Sequence, residues 1–208
     1  MMKILVTSFD PFGVDSENSS LEVLKLLPDS LDHIQLDRQI LPTQFVEGSR
    51  LLLDTLDKKQ PDVLLLLGQA GGRGQITFER VAINCMNARI PDNAGYAPRE
   101  LPVISEGPAA YFTNIPLASL VRYLQELWLP AGISNSAGTF VCNCLFYQAM
   151  HYITQKKLPC LCDFIHLPYL TGQSGVPADS PSLPPNACLS VLIKAIRYLS
   201  EHPGGDLR

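Results

Sequence analysis

Along this chain the spacing of apolar and polar positions changes several times, and each change marks an element. KILVTSF (3–9), IQLDRQILP (34–42), DVLLLLGQA (62–70) and CDFIHLP (162–168) are short apolar or alternating runs bounded by Pro, Gly or Asp. That is the pattern of strands. Between them the period lengthens to that of a helix, in SLEVLKLL (20–27), in TQFVEGSRLLLDTLDKK (43–59), and over 115–129, where Leu117, Leu120, Leu124 and Leu127 share a face. A last helix carries Leu192, Ala195, Ile196 and Leu199. Strands alternating with helices predict an α/β fold, a single three-layer αβα domain around a twisted, mostly parallel sheet, over residues 1–208 with a frayed tail, HPGGDLR.

Parallel sheets bind ligands beyond the carboxyl ends of their strands, so the turn-rich stretches there are where chemistry is expected. They read SFDPFGVDSENSS, GQAGGRGQ, NARIPDNAGY, SNSAGTFVCN and HLPYLTGQSG. Neither a dinucleotide fingerprint nor a P-loop fits GQAGGRGQ, because the following ITFERVAIN is β-branched and strand-like rather than helical. A tight loop where backbone approaches something closely fits it better.

Composition narrows the class. The chain has 208 residues, a formal net charge of −4, 46% hydrophobic and 17% charged residues. It has the balance of a soluble, slightly acidic globular protein. No Lys/Arg cluster is large enough to neutralise several phosphates, so nucleic acid is not an expected partner; Lys58-Lys59 and Lys156-Lys157 read as solvated helix ends. The opening MMKILVTSFDPFG has one lysine and about six apolar residues before Asp10, shorter than a secretory h-region, and no apolar run approaches the length that spans a bilayer. A cytoplasmic location with no membrane partner, and six free thiols, follow as expectations.

Two of those thiols, Cys142 and Cys144, stand one residue apart where a Gly-bearing turn gives way to a helical run. At a helix N-terminus Cys142 would face unpaired N–H groups and the positive end of the macrodipole, which favour thiolate and an oxyanion. Cys144 would turn about 200° away and pack inward. By spacing alone Cys142 is either a nucleophile or a buried helix-start cysteine. Of four histidines, His33 lies in a polar loop, His202 in the tail and His151 farther along the helix. His166, at the end of CDFIHLP, is the best base by position. The CNC and CLC spacings are too close for the usual structural zinc sites, so no metal is expected. Cys85, Cys160, Cys162 and Cys188 read as buried inert thiols. Cys188 follows the Pro-rich SPSLPPNA, however, and exposure there would make it redox-sensitive.

With these residues assembled, the sequence resembles the pyrrolidone-carboxylate peptidases, or pyroglutamyl peptidases, from ILVTSFDPFG through GQAGGRGQITFERVAINCMNARIPDNAG and SNSAGTFVCN to FIHLPYLTGQ. The resemblance implies a cysteine exopeptidase, an omega peptidase, that removes N-terminal pyroglutamate from small peptides without a metal or organic cofactor. It implies a homotetramer or similar assembly. Carried across the matching motifs, it makes Cys142 the nucleophile, His166 the base and Glu79 the group that orients the imidazole, with Arg89 supporting the oxyanion. It assigns the lactam pocket to Phe9, Phe12, Ile90, Phe140 and Val141, with Asn18 and Gln69 as polar contacts. Three departures stand out. Ser19 replaces a frequent proline, Asn87 a frequent Asp and Phe78 a frequent Pro or Val, changes expected to loosen the loops around Asn18 and Arg89. Two alternatives stay open: a catalytically silent binder of pyroglutamyl peptides, and an α/β enzyme acting on another lactam or a nucleoside-like ring.

Overall fold

A computed structural model describes residues 1–13 and 16–202. The end of the tail expected to fray and two positions of the first turn-rich stretch lie outside the described residues. The first half of the chain forms β1 (Met2–Phe9), α1 (Ser19–Leu26), β2 (Ser30–Leu31), β3 (Ile34–Leu41), α2 (Phe45–Lys59), β4 (Val63–Gln69), β5 (Ile76–Glu79) and β6 (Val81–Ile83). The second half forms β7 (Ala110–Phe112), α3 (Leu117–Glu126), β8 (Ala131–Ser134), α4 (Val141–Lys156), β9 (Leu161–Leu167), β10 (Tyr169–Leu170), β11 (Ser182–Leu183) and α5 (Pro185–Glu201).

Seven strands make one sheet in the order β2-β3-β1-β4-β9-β5-β8. Its centre is parallel, whereas β5 runs antiparallel to β9 and β2 antiparallel to β3. Val63 to Leu67 of β4 are all fully buried, because helices cover both faces. On one face α1, α3 and α5 pack over Ile4, Val6, Leu65, Phe78 and Ile165. On the other, α2 and α4 pack over Leu5, Phe9, Leu64, Leu66 and Phe164. The period of two along β9 puts His166 on the same face as Phe164, under α4.

The predicted strands and helices are all present, with three differences. Helix α2 starts at Phe45 rather than Thr43, because the Asp92 carboxylate meets the Phe45 N–H at 2.9 Å and fixes the entry there. Helix α3 stops at Glu126; the chain then turns through Trp128, which has a φ of 59°. Cys188 lies one turn inside α5, fully buried, and burial pushes its thiol up to about 11, so the exposed redox contact is corrected. Cys160 and Cys162 are buried as expected, but Cys85 is only half-buried.

Candidate active site

The pairing of β5 with β9 places Thr77 opposite His166, so Glu79, two residues on, points to the same face. Glu79 Oε1 and His166 Nδ1 are 2.7 Å apart. Engaging Nδ1 in this way leaves Nε2 as the ring nitrogen for the cavity that His166 lines together with Cys142. Cys142 is the second residue of α4, and the residue after it anchors the helix start. The buried Asn143 side chain accepts from the Ile83 N–H (2.9 Å) and donates to the carbonyls of Ile83 (2.9 Å) and Cys85 (3.0 Å). Phe140, the N-cap, gives the first turn no side-chain cap, in contrast to Asn18, which caps α1. The N–H groups at the start of α4 are thus free of a side-chain acceptor from their own cap. The sulfur reaches the sheet because β4 has glycine at the crossing: a Cβ on Gly68 would stand 2.8 Å from the Phe164 ring and 3.2 Å from Cys142 Sγ. Cys144 turns inward and is buried, with Gln148 and Met86 against its sulfur.

Burial is the largest electrostatic influence here, and it acts against the thiolate that a helix N-terminus favours. Burial first, then the Glu79 charge, push the Cys142 thiol up to about 12; its own backbone N–H and the Arg73 charge pull the other way but do not win. Burial likewise holds the His166 imidazole below its ordinary value, outweighing the hydrogen bond and charge of Glu79, while Arg73 lowers it further. For Glu79 burial acts upward, yet hydrogen bonds, those of His166 and Arg73 among them, hold the carboxyl below the ordinary carboxylate range. These influences favour a thiol, a neutral imidazole and a carboxylate at neutral pH.

The cavity that Cys142 and His166 share has a volume of about 250 Å³ and is lined besides them by Phe9, Phe12, Asn18, Thr43, Gln69, Ala137 and Phe140. Of the residues expected to form the ring pocket, Phe9, Phe12, Phe140, Asn18 and Gln69 meet there. Val141 does not; the first residue of α4, it is fully buried in the core. Ile90 and Arg89 are exposed and line an outer groove that shares Phe12 and Phe140 with the cavity. The polar pair also has structural duties. Asn18 Oδ1 accepts from the Ser20 N–H and hydroxyl (3.0 and 2.7 Å), and Gln69 Oε1 accepts from the Ser19 N–H and Gln173 Nε2 (both 2.8 Å).

Each of the three departures has partners in the structure. The Ser19 N–H that bonds Gln69 is one a proline would lack. Asn87 bonds Glu100 through its side chain, and its backbone exchanges bonds with Thr139 at 3.0 and 2.8 Å. Phe78 faces away from the site into the core.

Four residues at the site escaped the sequence reading: Arg73, Thr43, Ala137 and Asn143. Arg73 Nη1 donates to Glu79 Oε1 at 2.7 Å and contacts the Thr77 hydroxyl, and Nη2 reaches the Ser136 carbonyl at 3.4 Å. Its place in the Gly-rich loop after β4 was the available signal. The loop does make the close approach expected of it, since a Cβ on Gly71 would collide with the Tyr169 ring at 2.3 Å.

Comparison with known proteins agrees with this geometry. The family model described as pyroglutamyl peptidase matches residues 2–202. Pyrrolidone-carboxylate peptidase 1 of Caldanaerobacter subterraneus subsp. tengcongensis is 46% identical over 195 residues, 94% of each chain. The pyrrolidone-carboxylate peptidase of Brevibacillus brevis is 41% identical over 97% of this chain and 92% of its own. Among solved structures, pyroglutamyl peptidase I of Bacillus amyloliquefaciens superposes with a TM-score of 0.92 at 39% identity, covering 98% of both chains. The pyrrolidone carboxyl peptidase of Thermococcus litoralis has a TM-score of 0.91 at 30% identity, covering 97% of this chain and 94% of its own. With a matching model over nearly its whole length and these relatives, the chain belongs to the pyroglutamyl peptidase family.

Proposed function

We propose that the protein is a cysteine-type exopeptidase that hydrolyses the bond after an N-terminal pyroglutamyl residue and releases 5-oxoproline. The observation that carries this reading is a single small cavity holding Cys142 and His166, walled by Phe9, Phe12 and Phe140, with Glu79 bonded to the back of the imidazole. Among the described residues no carboxylate lines it. A neutral lactam therefore fits, whereas a free α-ammonium would be desolvated there without a partner.

Because thiol and imidazole start neutral, the Cys142 proton passes to His166 Nε2 as the sulfur attacks the carbonyl joining pyroglutamate to the next residue. Backbone N–H groups at the start of α4 receive the oxyanion, and Arg89 adds positive charge from the outer groove. Protonated His166 then gives its proton to the leaving amine, the thioester forms, and water activated by neutral His166 releases 5-oxoproline. Glu79 keeps the ring oriented and stabilises the transient imidazolium. We further read the chain as one peptidase domain acting in the cytoplasm as a homotetramer, a reading supported by the motif resemblance. Among the described residues no helix is long and apolar enough to cross a membrane.

The test is release of a fluorescent amine from its pyroglutamyl amide. Wild type and Cys144→Ser should be active, Cys142→Ser at least ~1,000-fold slower, and glutaminyl or prolyl amides poor substrates. A wild type that binds the amide but never releases amine would sink the reading and leave a silent binding protein.

A further inference from the structure

Glu79 Oε1 receives two donors, His166 Nδ1 and Arg73 Nη1, each at 2.7 Å. Arg73 also touches Thr77 on β5 and the carbonyl of Ser136, in the loop that leads into α4. One guanidinium thus ties together the strand carrying Glu79 and the approach to Cys142, beside the imidazole that must shuttle the proton. We propose that Arg73 is a positioning residue that shares the Glu79 carboxylate with His166 and thereby keeps the imidazole uncharged, as a general base, at working pH.

Charge counting in a buried site carries the argument. The titratable groups facing His166 are Glu79 from β5, Cys142 from α4 and Arg73 from the loop between β4 and β5. From β4 come the uncharged Gly68 and Gln69, and from the β1–α1 side Phe9 and Asn18. Asp10 is tied to the cavity-lining Thr43, and Asp163, three residues back on β9, points to the opposite face of the sheet. With Arg73 present, Glu79⁻ and Arg73⁺ already balance, so the neutral imidazole completes an electrically neutral cluster. Remove the guanidinium and the carboxylate is balanced only by an imidazolium. A carboxylate in direct contact with a single cation raises that cation's pKa, and a base already protonated cannot take the thiol proton. Arg73 side-chain exposure of 27% lets solvent screen part of its charge, so the low end of the usual range of shifts applies.

The inference rests on the catalytic reading of Cys142 and His166, and its test separates the two. The acid limb of kcat/KM for the pyroglutamyl amide and the NMR titration of the His166 ring are measured in wild type, Arg73→Gln and Arg73→Lys. Expected are a wild-type ring that titrates below its ordinary value, a shift of both midpoints by about one pH unit upward in Arg73→Gln, and a return towards wild type in Arg73→Lys, which restores charge without the fork. A loss of kcat in Arg73→Gln with neither midpoint moved overturns the proposal and leaves Arg73 a structural brace. Should Arg73→Gln fail to fold, the wild-type titration decides: a His166 ring still protonated above pH 7 overturns it. If no variant and no wild type turns over substrate, the peptidase reading fails, while the ring titration still tests Arg73.

Discussion

At the scale of single residues, the site depends on what is missing as much as on what is present. Gly68 has no side chain where β4 passes beneath α4, and the sulfur of Cys142 and the ring of Phe164 occupy that space. Gly68→Ala would put a methyl group within 2.8 Å of the ring and 3.2 Å of the sulfur, and neither belongs to a long flexible side chain that could swing away. Displacing a nucleophile by a fraction of an ångström costs on the order of 10- to 100-fold in rate, and overpacking costs about 1–3 kcal/mol in stability. Gly68→Ala should thus remain folded by circular dichroism and lose about tenfold or more in kcat/KM, a loss concentrated in kcat. An alanine variant with wild-type kcat would show that the sulfur does not need its present position. Sequence inspection singles out Cys142 and His166, because a turn before a helix and the end of a buried strand are local patterns. It passes over Gly68 and Arg73, whose importance arises only from what the fold brings against them.

At the scale of elements, the loop that follows β6 is held by a carboxylate that serves a helix far away in sequence. Asp92 is nearly buried; one oxygen accepts from Phe45 N–H at the start of α2, the other from the N–H groups of Ala94 and Tyr96, all at 2.9 Å. Gln44, the N-cap by position, supplies no side-chain bond of its own. Asn93 continues the clamp by donating to the Pro11 carbonyl at 2.9 Å, so the loop bearing Arg89 and Ile90 is fastened to the one bearing Phe12. Asp92→Ala would strand three amide donors and should cost about 2 kcal/mol, read as a lower denaturant midpoint with the slope unchanged. Since the outer groove is built on that loop, KM should rise more than kcat falls; an unchanged midpoint would mean that water replaces the carboxylate without loss. Helix periods reveal α2 within two residues, because its buried face repeats every turn. Its start is misjudged because capping signals are sought among neighbours, and this cap arrives from 47 residues away.

At the scale of the whole molecule, the layered α/β architecture is legible from runs such as VLLLL, which only a doubly covered strand can bury, whereas the reversal of β5 is not, since a strand's apolar pattern reads the same in either direction. Nor does periodicity account for Asp163. It lies in the middle of β9, fully buried, and neither carboxyl oxygen has a hydrogen-bond partner. Burial, with the Glu79 charge adding to it, pushes this carboxyl well above the ordinary range; the Thr113 hydroxyl and Phe164 N–H act in the opposite direction without forming bonds to it. A raised folded-state value has a definite sign in stability. Below the unfolded value of about 4 both states are protonated and Asp163 exacts no pH-dependent penalty. As pH rises past that point the unfolded chain ionises and the folded one does not, so stability drains at up to about 1.4 kcal/mol per pH unit until the folded group itself titrates. Asp163→Val puts a β-branched apolar side chain, a type favoured in strands, on a central strand between Leu161 and Ile165 and removes the acid. The difference in unfolding free energy between variant and wild type, in which other groups cancel, should therefore be smallest near pH 4 and grow in the variant's favour towards neutrality. A difference that stays flat with pH would mean that Asp163 is already ionised in the folded protein, held by contacts stronger than those the structure gives it.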